Sequence, residues 1–133
     1  MGHVVPAQNI RVKRIYEPAS AEDGTRILVD RLWPRGITKE EAKLDQWNRE
    51  VTPSSGLRSW FGHDPERWVE FGHRYRAELA AHAKALEDVR RQARKGPITL
   101  LYAAKDDTHN HALVLRNVLL DKTNRETEAS NDR

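Results

Sequence analysis

Two kinds of periodicity divide the chain. Ile10, Val12, Ile15 and Tyr16 alternate with Arg11, Lys13 and Arg14, the pattern of a half-buried or edge strand. Ile27-Leu28-Val29 starts a second strand that continues through Asp30-Arg31-Leu32-Trp33, with Pro34 and Gly36 turning the chain. Thr38 and Glu41 match a capping box, and Leu44, Trp47 and Val51 fall at helical spacing, so a helix is predicted from about Lys39 to the stop at Pro53. A short turn holds Leu57, Trp60 and Phe61 and ends at Gly62.

Asp64-Pro65-Glu66 is a strong helix start, with a capping carboxylate, Pro at the first position and an acid in the first turn. Trp68, Phe71, Tyr75 and Leu79 then form one apolar face, continued by Leu86, Val89 and Ala93 with a break near Ala81-His82-Ala83. Gly96-Pro97 ends the helical region. Ile98 to Ala104 is a nearly unbroken apolar run between helices, which reads as a parallel strand buried on both faces. Asp107 or Thr108 can cap a last helix carrying Leu113, Val114, Leu115, Val118 and Leu119.

This order predicts a small α/β domain of two or three layers. It has a short, mainly parallel sheet and a helical insertion between the second and third strands, whose crossover is expected to be right-handed. Residues 1–9 read as a flexible leader, 10–120 as the single domain and 121–133 as a disordered polar tail.

Composition narrows the function classes. The chain has 133 residues, enough for one core, and no cysteine, so disulfides, thiolate nucleophiles and Cys-based metal sites are excluded. No run approaches the ~18–20 apolar residues of a membrane span. With 23 Lys+Arg against 20 Asp+Glu, the net charge of +3 fits an ordinary salt-laced surface better than a dedicated nucleic-acid binder. There is no glycine-rich dinucleotide loop, Walker-type loop, Gly-x-Ser-x-Gly elbow or His-Glu-x-x-His pair, which argues against a large-cofactor enzyme. A cytoplasmic location is expected; oligomeric state and cofactors are not readable.

Candidate chemistry falls where strands end, since ligands of open α/β sheets bind beyond the strand carboxyl ends. In Asp30–Gly36, Arg31 and Arg35 could present planar forks to an anion beside the stacking face of Trp33. An internal ion pair and a core Trp account for the same residues. In Asp106–His111, His109 and His111 sit near the positive end of the last helix, where a neutral imidazole suits proton transfer, with Asp106 orienting it and Asn110 beside the ligand. Two residues apart on a helix, the His side chains would diverge by roughly 200°.

Three readings follow. The first is a small anionic or phosphorylated ligand site, open to catalysis by His109, His111 and Asp106, with Arg31, Trp33, Arg35 and Asn110 binding. The second is a nucleic-acid or partner-binding module using the same Arg and Trp contacts. The third is a His/Asp metal site drawing on His63, His109 and His111. Asp64 is explained by capping, and Arg90-Arg91 with Arg94-Lys95 reads as a solvated helix end.

The segments Ile10–Tyr16, Leu28–Gly36, Trp60–Pro65, Arg74-Tyr75 and Leu100–Asp106 with His109-Asn110-His111-Ala112 together resemble the YeaO-like branch of a bacterial family of unknown function. The resemblance runs from about Ile10 to Leu120 and implies a cytoplasmic, functionally uncharacterised protein. Wider relatives often carry a Cys-His-Arg step where this chain has His-Asn-His, so thiol chemistry does not transfer. A methyltransferase label carried by some members finds no glycine-rich loop here to support it.

Overall fold

Alternation along the strands is what sorts the side chains into layers. A computed structural model describes residues 5–131, with side chains through Asp121. The strands are β1 (Ile10–Arg14), β2 (Thr25–Leu28), β3 (Gln46–Trp47) and β4 (Ile98–Tyr102). The helices are α1 (Lys39–Ala42), α2 (Ser55–Phe61), α3 (Trp68–Ala80), α4 (Ala83–Lys95) and α5 (His111–Asn131). The sheet order is β1-β4-β2-β3, and every pairing is parallel. This is the small α/β domain that the pattern predicts.

Ile10 and Val12 of β1, Ile27 and Val29 at β2, and Ile98, Leu100 and Tyr102 of β4 face a core shared with Phe71, Tyr75, Leu79, Val89, Leu115 and Leu119 from α3, α4 and α5. The intervening residues Ile15, Leu28 and Leu101 point the other way, into a smaller cluster with Ala42, Trp33, Ile37, Leu44 and Trp47. Helices α3, α4 and α5 thus cover one face, and α1 with its flanking loops covers part of the other. Central β4 is buried along its whole length, which is why it reads as an unbroken apolar run.

Several local readings change in three dimensions. The capping box at Thr38 and Glu41 forms, yet α1 stops at Ala42 because Lys43 turns into the left-handed region at φ 49°. Gln46 and Trp47 then pair with Ile27 and Leu28 as a fourth strand, so the helical spacing of Leu44, Trp47 and Val51 is overridden by the open edge of β2. The second strand is shorter than expected: β2 ends at Leu28, and Val29 makes one further ladder bond to the Leu101 carbonyl. Helices α3 and α4 break at Ala81-His82 as expected. Arg90 is not a solvated cation; it is buried and donates to the Leu119 and Val118 carbonyls of α5.

The start of β2 is tightly specified. Gly24 has φ 64°, and a Cβ there would meet the Pro97 carbonyl oxygen at 2.1 Å, so only glycine lets this turn press against β4. At the sheet edge, Arg116 of α5 donates to the outward Ile10 carbonyl at 2.6 Å, and the Glu17 carboxylate accepts from the Arg14 N–H at 3.1 Å. These contacts shield an otherwise open parallel edge from pairing with another chain.

Candidate functional site

The parallel sheet puts the residues after β2, β3 and β4 at one end of the domain, and α5 begins there. Asp30 follows the last ladder bond of β2. Its Oδ2 accepts from the Ala103 N–H at 3.0 Å, and its carbonyl accepts from Trp47 Nε1 at 2.7 Å. His111, the first residue of α5, brings Nε2 to 2.7 Å from the Val29 carbonyl. A carbonyl only accepts, so Nε2 carries the hydrogen, and in the neutral ring Nδ1 is left as an acceptor.

Asp30 Oδ1 lies 3.1 Å from the same Nε2, but the N–H is aimed at Val29. That oxygen is buried and accepts no hydrogen bond among the described residues. The whole Asp30 and His111 side chains are each 16% exposed, so the pair sits just under the surface. An orphaned carboxylate oxygen is costly to bury, and its presence calls for an explanation beyond stability.

Helix α3 closes this pair from the side. The Tyr75 ring meets His111 edge-on at 6.3 Å, and the Tyr75 hydroxyl donates to the Val51 carbonyl. Burial first, then the negative charges of Glu78 and Asp30, push the Tyr75 phenol well above its ordinary value, with only Arg31 opposing. Glu78, one turn on, accepts from the Ser54 N–H at 2.9 Å and its hydroxyl at 2.5 Å, while Ser54 caps α2. Arg31 donates from Nε to the Pro53 carbonyl at 3.0 Å. The site therefore contains Asp30, Arg31, Tyr75, Glu78 and His111.

A second Asp–His pair lies in the loop before α5. Asp106 Oδ1 accepts from the Thr108 N–H, the Thr108 hydroxyl and the His109 N–H, and Oδ2 lies 3.0 Å from His109 Nδ1. The Thr108 N–H above all, with the His109 and Thr108 contacts, holds the Asp106 carboxyl far below its ordinary value against a partial burial penalty. His109 leans on Trp68 edge-on at 5.3 Å. Neither Asp107 nor Thr108 caps α5. Asn110 does, its Oδ1 accepting from the Leu113 N–H at 3.2 Å, so His109 stands outside the helix. The two His residues therefore pack along one face of α3, against Trp68 and Tyr75, instead of diverging around a single turn.

The remaining candidates separate. Trp33 turns inward, donating to the Ile37 carbonyl at 2.8 Å and meeting Trp47 edge-on at 5.4 Å, so its ring belongs to the smaller core. Arg35 is exposed, and its carbonyl accepts from the Tyr16 hydroxyl at 2.6 Å. His63 is exposed beside Phe61, 6.1 Å between ring centroids, with φ 58°. No group of three or more His, Asp or Glu suited to a metal ion occurs among the described residues, so His63, His109 and His111 are not brought into one such cluster. Asp64 caps as read, accepting from the Glu66 N–H at 3.0 Å.

Tyr75, Glu78 and Ser54 escaped the sequence reading because each has a structural role that hides it. The available signal was the hydroxyl of Tyr75 on an otherwise apolar face, since a buried phenol needs an acceptor.

The family described as the inactive DUF488-N3 subclade matches residues 9–133. The chain belongs to that family. It is 53% identical over 110 residues to the uncharacterized protein YeaO of Escherichia coli (strain K12), covering 80% of this chain and 93% of that protein. It is 40% identical over 116 residues to uncharacterized proteins of Mycobacterium bovis and Mycobacterium tuberculosis, covering 87% of this chain and 98% of each. No solved structure matches. Among the described residues no helix is long and apolar enough to cross a membrane.

Proposed function

We propose that this protein binds a small polar ligand at the carboxyl ends of its parallel strands and does not turn it over. The observation that carries this reading is the buried Asp30 Oδ1, which accepts no hydrogen bond among the described residues and is placed among Arg31, Tyr75, Glu78 and His111. Structural carboxylates in folded proteins are satisfied, and an unsatisfied one at the sheet end where ligands dock is best explained as a recognition group.

Arg31 engages the protein through Nε, and its terminal nitrogens are the groups to hold an acidic or phosphorylated part of the ligand. His109, oriented by Asp106, is the more exposed of the two imidazoles at this end of the fold. The description of the family as inactive favours binding over acid–base turnover by these histidines. A cytoplasmic location belongs to the same reading, and cell fractionation tests it.

The test is a thermal-shift screen of small anions, zwitterions and phosphorylated metabolites against the full chain. A ligand at 100 times its Kd stabilises the folded state by about 2.7 kcal/mol, readily visible as a rise in Tm. Arg31→Ala and His111→Ala should abolish the rise. A screen in which no compound shifts Tm, or in which both variants respond like the parent, defeats the proposal.

A further inference from the structure

Counting donors against acceptors in this site points to the kind of group that fills it. The Nε2–H of His111 goes to Val29, the Nε–H of Arg31 to Pro53, the Tyr75 hydroxyl to Val51, and the Ser54 N–H and hydroxyl both to Glu78. Apart from the terminal N–H groups of Arg31, the hydrogens of these groups are spent. What remains open beside Asp30 is the acceptor capacity of its Oδ1, which accepts no hydrogen bond among the described residues. The local field has the same sign, because two carboxylates, Asp30 and Glu78, act at the Tyr75 hydroxyl against the single guanidinium of Arg31.

A carboxylate brought to Asp30 would add a third negative charge and supply no hydrogen, and a phosphate would add still more negative charge. A group with N–H hydrogens and positive charge satisfies the orphan oxygen and the field together. Resting on the ligand site proposed above, we infer that the group docking beside Asp30 is a cationic N–H donor, an ammonium or amidinium, and that the ligand is a small zwitterion whose acidic end lies toward Arg31. This separates the charges of Asp30 and Arg31 by role. Arg31 alone would have suggested a simple anion.

The experiment is an NMR titration of the full chain, following the Ala103 amide, which donates to Asp30, and the His111 ring signals. The probes are β-alanine, ethylamine, propionate and inorganic phosphate. β-Alanine is expected to shift both sets of signals saturably, ethylamine more weakly, and propionate and phosphate not at the Ala103 amide. Asp30→Asn keeps an acceptor for the Ala103 N–H and the same shape; its dispersed spectrum serves as the folding control. Loss of a charged hydrogen bond there should weaken β-alanine binding by more than about tenfold. If propionate or phosphate shifts these signals and Asp30→Asn binds them equally well, the ligand class is overturned while the site survives. If no probe shifts them, the site itself falls and the inference with it.

Discussion

Strand β2 is flanked by two carboxylates, Asp23 buried and Asp30 partly buried, that meet opposite fates. Asp23, just before the strand, is 3% exposed, and both of its oxygens are occupied. They accept from the Lys13 ammonium at 3.0 and 3.1 Å, the Ser20 N–H at 2.9 Å and Arg26 at 2.6 Å. Arg26 in turn spends its other nitrogens on the Ala42 and Lys43 carbonyls, and Thr99 of β4 bonds the Asp23 carbonyl. Asp30, just after the strand, has one oxygen satisfied by Ala103, while the other, 3.1 Å from His111 Nε2, accepts no hydrogen bond among the described residues. The same residue type is a closed structural joint at one end of the strand and an open one at the other. Complete satisfaction marks a group that the fold uses; a missing partner marks a group held ready for something else.

Breaking the closed joint should have the largest effect. Asp23→Ala leaves the buried Arg26 guanidinium without its counter-charge and should cost about 3–5 kcal/mol in urea unfolding. A loss below about 1 kcal/mol would mean that the Ala42 and Lys43 carbonyls alone satisfy Arg26. The same joint gives a pH signature. Burial tends to raise the Asp23 carboxyl, but the Ser20 N–H and the Lys13 and Arg26 contacts outweigh it and leave it below its ordinary value. A carboxyl lowered in the folded state adds stability above its unfolded value, and that stability disappears as pH falls through the folded value. Acid unfolding curves of the parent and Asp23→Asn should therefore converge at low pH and separate above the ordinary carboxylate range.

Next comes the wall of the open site. Tyr75→Phe removes the hydroxyl that donates to the Val51 carbonyl and should cost about 1–3 kcal/mol. The smallest effect is expected at the open joint. Asp30→Asn preserves the acceptor for Ala103 and relieves a poorly satisfied charge, so stability should change by no more than about 1 kcal/mol in either direction. A loss as large as that of Asp23→Ala would erase the contrast and show Asp30 to be structural after all.

Much of the frame is legible in the sequence because it depends on neighbours along the chain. The capping box of Thr38 and Glu41, the cap at Asp64, the stripe from Trp68 to Leu79 and the apolar run of β4 all involve groups within a few residues of one another. Segments whose state depends on a distant partner were misread. Trp47 has helical spacing but lies in β3, because the edge of β2 offers backbone partners that an isolated helix would have to forgo. Arg90 looks like a solvated cation until α5 arrives to accept its hydrogens.

The strand-end location of the candidate site was likewise readable, since parallel strands followed by helix starts place ligand groups there. The division of labour inside it was not. Asp106 and His109 are three residues apart, and their pairing is local. Asp30 meets Ala103 across 73 positions, and His111 meets Val29 across 82. By itself the sequence determined the elements, their capping and the end of the sheet where chemistry would gather, all consequences of short-range periodicity and turn chemistry. Only the tertiary structure decided which carboxylate is satisfied and which is left open. That outcome depends on a count of donors supplied by β4, α3 and α5, and no stretch of chain contains them together.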